Sequence, residues 1–167
     1  MKFYSAIAAS TALLMATTAH GEAHEESTES DGPSVYTMNA TFETTMMVGG
    51  VGGEGDQVFA AAWAENITIS SPAGSNEITA QCAGMDQPAN SLFDRHFTCT
   101  MEDGGGQSGA VLYGCNVEND AANEMSCVGY FQGKEGAIAG KVHLMTAYYW
   151  FMADGTGKME GSGHALR

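Results

Sequence analysis

The chain reads as all-β: one antiparallel barrel of about eight strands, stapled by disulfides. Three observations predict this. Apolar and polar residues alternate with period two along most of the chain from Val35 onward, the signature of strands with one face buried. Turn-rich segments recur between these runs at spacings seen in sandwiches and barrels. Four cysteines, an even number, follow an N-terminal segment with the features of an export signal.

The export signal occupies residues 1–21. Lys2 supplies the positive start, Ala6 to Met15 the apolar run, and small residues a cleavage point after Ala19 or Gly21. The apolar run is too short to span a bilayer of ~30 Å as a helix. Residues 22–33 carry Glu22, Glu25, Glu26, Glu29 and Asp31 with almost no apolar content. Such a stretch cannot bury enough surface to offset ordering entropy, so it reads as an acidic disordered leader. The barrel domain is 34–167. The protein is therefore expected to be exported, periplasmic or extracellular. The net charge is −14, from 6 Lys+Arg against 20 Asp+Glu. That balance argues against nucleic acid and anionic lipid as partners.

The strands follow in order. Residues 35–48 place Tyr36, Met38, Ala40, Phe42, Met46 and Val48 on one parity, with Thr44 among them. After a glycine-rich turn at 49–57, residues 58–70 place Phe59, Ala61, Trp63, Ile67 and Ile69 together, with Glu65 on the same face. Residues 76–84 align Ile78, Ala80 and Cys82; residues 93–101 align Phe93, Phe97, Cys99 and Met101 with Arg95. A turn at 103–109 leads to a hairpin of 110–117 and 125–132. Residues 138–153 read as one long strand, with a weaker helical period over 137–152 as the alternative. Residues 158–166 close the chain. Tyr148, Tyr149, Trp150 and Phe151 are consecutive, so aromatic rings fall on both faces. The inner set lines the interior; the outer set needs cover from the leader, a loop or a partner, which makes a homo-oligomer plausible.

Cys82, Cys99, Cys115 and Cys127 allow three pairings. Each consecutive pair flanks a turn-rich stretch, which favours Cys82–Cys99 and Cys115–Cys127 across hairpins, each stabilising by ~3 kcal/mol on the loop-entropy model.

The last hairpin carries Gly155-Thr156-Gly157-Lys158-Met159-Glu160-Gly161-Ser162-Gly163. This resembles the ending of small exported barrels of the allene oxide cyclase and dirigent families, with Met159 where their pattern has an aromatic residue. The resemblance is specific over about 153–164 and diffuse over 35–152. It implies an eight-stranded barrel with an apolar cavity, often in dimers or trimers. Enzymatic members of those families cyclise or orient small hydrophobic molecules without a cofactor. Their catalytic residues fall in segments that do not match here, so none is carried over.

Candidate chemistry is sparse. Glu65 and Arg95 both sit on the bulky parity; if both point inward they are expected to pair, since an unpaired interior charge is costly. The pair would then bind a polar end of an apolar ligand, or act as acid/base and anion clamp in a cofactor-free cyclase or isomerase. Phe42, Trp63, Phe97 and Tyr149 are the candidate liners. His143 and Met145 place two soft ligands on one strand face, a weak Cu(I) signal to which Met46, Met47 and Met152 could add. Methionine is also a common core filler. Gly50-x-Gly52-x-x-Gly55 matches a dinucleotide fingerprint by letter, but a strand and not a helix follows it. No cofactor is implied. The sequence favours a barrel that binds a small apolar molecule or serves as an envelope scaffold, with the cyclase and copper-handling readings behind it.

Overall fold

The computed structural model of the protein describes residues 35–51 and 57–166. The signal segment, the acidic leader and the middle of the 49–57 turn lie outside the described residues. Eight strands run in chain order: β1 Val35–Val51, β2 Gln57–Ser71, β3 Gly74–Asp86, β4 Arg95–Asp103, β5 Ser108–Asn119, β6 Glu124–Glu135, β7 Val142–Phe151 and β8 Thr156–Ala165. Every neighbouring pair is antiparallel, and β8 returns to pair with β1, so the sheet closes into a ring. Closure leaves no unpaired edge along that contact. No α-helix forms among the described residues: 3₁₀ turns at Asp120–Ala122 and Gly136–Ile138 join β5 to β6 and β6 to β7. The long final strand anticipated over 138–153 therefore starts later, at Val142, because residues 136–138 take the 3₁₀ turn.

The alternation sorts side chains as the sequence predicts through most of the ring. Met38, Phe42, Trp63, Ile67, Phe97, Tyr113, Met125, Met145, Tyr149 and Met159 are all buried in one core. The exception is the far end of β1. A bulge interrupts the β1–β2 register between Thr44 and Met46. An extra residue shifts every later side chain to the opposite face. Met46 and Val48, expected inside, are exposed, and so is Phe59 on the facing part of β2.

Both disulfides follow the consecutive pairing. Cys82 lies directly opposite Cys99, and Cys115 directly opposite Cys127. All four cysteines are buried on the inner face. Two disulfides are compatible with an exported protein.

The glycines of the last hairpin divide into two roles. Gly155 turns the chain with φ +86°, where an L side chain would be strained. Gly157, Gly161 and Gly163 lie along β8 and leave room for side chains that lean across from β1. A Cβ on Gly157 would sit 2.0 Å from the Phe42 ring, and one on Gly163 would sit 2.4 Å from the Tyr36 ring. One on Gly161 would meet the Met38 methyl at 2.8 Å. The bareness of β8 thus lets β1 reach toward β7. The outward pair of the aromatic run, Tyr148 and Trp150, finds cover within its own chain. Their rings pack at 4.5 Å, the Tyr148 hydroxyl donates to Glu124, and Lys158 Nζ lies 4.2 Å over the Trp150 ring.

Candidate functional site

The interior has a packed waist and two open mouths. The waist is aromatic. Trp63 meets Phe97 edge-on at 4.9 Å, and Phe42 and Tyr149 pack at 6.1 and 6.4 Å from Trp63. Rings at these separations and tilts gain more than their buried area alone. Glu65 lies in this apolar surround and is only 2% exposed. Trp63 and Glu65 are two apart on β2, hence on one face, and the Trp63 indole N–H donates to Glu65 Oε1 at 2.6 Å. The Tyr149 hydroxyl bonds to the same carboxyl. Burial dominates and holds the Glu65 carboxyl above the usual carboxylate range, while the two hydrogen bonds pull the other way. The Tyr113 hydroxyl is buried with no hydrogen-bond partner, and burial, then the nearby Glu65, pushes its pKa up.

The expected Glu65–Arg95 pair does not form. In register, Glu65 faces Ala80, and Ala80 faces Met101. Arg95 stands six residues from Met101 on β4, about 20 Å along the strand. Both residues hold the predicted parity, but parity fixes the face and says nothing of height. Arg95 instead pairs with the residue directly opposite it, Asp86, its Nε donating to Oδ1 at 2.6 Å. Asp86 Oδ2 accepts the Phe59 backbone N–H at 2.8 Å, so this carboxylate ties β2 to β4 at the rim. The cyclase or isomerase arrangement, which needs Glu65 and Arg95 in one wet cavity, is not assembled.

Arg95 belongs to the upper mouth, beside the β7–β8 turn. Here a cavity of about 320 Å³ opens over Trp63, Phe97, Phe151 and Met125, with Arg95 and Asp86 among its walls. That volume is at the small end of ligand pockets, and an apolar lining with few polar groups is their usual character. Among the described residues, protein atoms engage only Nε and Nη1 of the guanidinium, Nη1 lying 3.1 Å from Met125 Sδ. Of the residues singled out from sequence, Trp63, Phe97 and Arg95 line this cavity. Phe42, Glu65 and Tyr149 sit in the waist behind it. Phe151 and Asp86 were not singled out. Phe151 shares the parity of Tyr149 and was legible on that ground; Asp86 depends on the β3–β4 register, which no local pattern carries.

The lower mouth, at the opposite end, encloses about 330 Å³ lined by Tyr36, Met38, Met101, Phe131, His143 and Met145 among others. His143 and Met145 are thus together. Met46, Met47 and Met152, proposed as their helpers, are exposed, and Met47 and Met152 line the upper mouth instead. Strand polarity explains the separation: His143 is the second residue of β7, and Met152 follows its last. Among the described residues, no group of three or more His, Cys, Asp and Glu is gathered for a metal ion.

No protein-family model, curated protein or solved structure matches this chain.

Proposed function

We propose that the protein binds a small apolar molecule with one polar end in the upper mouth. The carrying observation is the cavity itself: an aromatic floor of Trp63, Phe97 and Phe151 beside the Asp86–Arg95 pair. The ligand's own apolar surface leaves water against Phe151 and the other apolar walls, and the free guanidinium N–H groups donate to its polar end. The packed waist confines the ligand to this mouth, since Trp63, Glu65, Phe97 and Tyr149 are all 3% exposed or less. The resemblance of the last hairpin to allene oxide cyclase and dirigent barrels, whose members handle small hydrophobic molecules, points the same way.

Ala61, on the wall of this mouth, offers a test that spares the core. Titration with N-phenyl-1-naphthylamine is expected to show saturable binding with a change in tryptophan emission. Ala61→Trp fills the mouth and weakens that binding at least tenfold, while Leu144→Gln, on the outer face, leaves it unchanged. Equal binding by all three proteins would rule out this mouth. Arg95→Leu is expected to weaken decanoate more than decanol, which reports the polar clasp.

A further inference from the structure

The lower mouth holds chemistry that apolar binding does not use. His143 sits between two rings, with Tyr36 at 5.5 Å and Phe131 at 5.4 Å. Its Nδ1 lies 3.1 Å from the Tyr36 hydroxyl. Its Nε2 is buried and has no hydrogen-bond partner. A buried ring nitrogen left unpaired is costly, and a ligand at that atom removes the cost. When Nδ1–H donates to the Tyr36 oxygen, Nε2 carries the lone pair, the form in which a histidine binds metal.

The cavity that His143 lines also holds three thioethers. Met145 follows two residues along the same inner face of β7, and Met38 and Met101 line the same cavity. All three are almost wholly buried. Met38 leans across Gly161, whose missing side chain leaves room for its methyl. Asp103 and Glu102 also line this mouth; the Asp103 carboxylate accepts from Gly105 N, Gln107 N and Gln107 Nε2, and Glu102 is exposed to water. All four cysteines are in disulfides, so no thiolate competes. One neutral imidazole with several thioethers selects a soft monovalent ion over a hard or borderline one.

We propose that the lower mouth is a Cu(I) site, with His143 Nε2 and the sulfurs of Met145 and Met38 as donors and Met101 beside them. It is independent of the binding proposed for the upper mouth. Tyr36 acts here as a positioning residue, orienting the imidazole through Nδ1.

The test uses the full chain, purified with both disulfides formed and kept free of oxygen. Titrated with Cu(I) buffered by bicinchoninate, the protein is expected to withdraw one equivalent. His143→Gln and Met145→Leu should each weaken that affinity at least tenfold, while Met46→Leu, exposed at the other end, stays within twofold. Copper left entirely with the chelator, or an affinity unchanged in both variants, overturns the proposal. Because His143→Gln could disturb the Tyr36 contact, a second measurement leaves the chain unaltered. With methyl-labelled methionine, Ag(I) is expected to shift the resonances of Met38 and Met145. Shifts confined to Met46, Met47 or Met152 would overturn it.

Discussion

The two halves of β1 both carry apolar side chains and meet opposite fates. From Tyr36 to Phe42 the even-numbered side chains enter the core, with Met38 at 1% and Phe42 at 3% exposure. From Met46 to Val51 the apolar side chains stand in solvent, Met47 at 65%. The first half is flanked on both sides, by β2 and β8. The β8 pairing ends at Glu43↔Thr156, and beyond it β1 has only β2. The bulge after Thr44 then turns the former core parity outward. Apolar alternation therefore marks a strand that can bury one face; burial itself needs a wall opposite that face, and only ring closure supplies it.

Substitutions on the two halves and their partners should differ accordingly. The largest effect is expected at Trp63, which stands opposite Thr44 and centres the aromatic waist. Trp63→Ala removes a fully buried ring and the donor to Glu65, and should lower the unfolding free energy by ~3–5 kcal/mol in urea denaturation. A loss below ~1 kcal/mol would mean that the waist is not the core.

Gly157→Ala comes next. Its new Cβ would press on the Phe42 ring and on the Trp150 carbonyl, 2.6 Å away. Overpacking of this kind costs about 1–3 kcal/mol. Pairing the change with Phe42→Leu should recover part of the loss if the clash with the ring is its cause.

Glu65→Gln sharpens the comparison through pH. Glu65 is raised in the folded chain, chiefly by burial. Above its unfolded value the folded state thus holds a proton that the unfolded state has released. This group's stabilisation is complete below the unfolded value and is lost as pH rises through the folded one. Gln does not titrate, so the variant should gain on the parent as pH rises from acid to neutral. Parallel stability curves would show that Glu65 is not held in its protonated form.

The smallest effect is expected on the exposed half of β1. Met47→Ser should stay within ~0.5 kcal/mol, the usual range for a surface position. A loss comparable with that of Gly157→Ala would show that something covers this segment in solution.

How far the sequence reached follows from the same contrast. Period two in Tyr36–Phe42, Ala61–Ile69 and Phe97–Met101 was enough to call the all-β class and to place Trp63, Phe97 and Tyr149 inside, because strand geometry alone sends alternate side chains to opposite faces. Turn-rich stretches between cysteines were enough to favour the consecutive disulfide pairing. His143 and Met145 were legible as a pair on one face for the same local reason. Height around the ring was not legible. Glu65 and Arg95 share a face but stand far apart along the barrel, and Arg95 finds Asp86 only through the β3–β4 register. Met38 and Met101 join His143 at one mouth only because β1, β4 and β7 belong to a closed ring. Period two is written into neighbouring residues, whereas register, bulges and closure arise from long-range pairing that no short window of sequence contains.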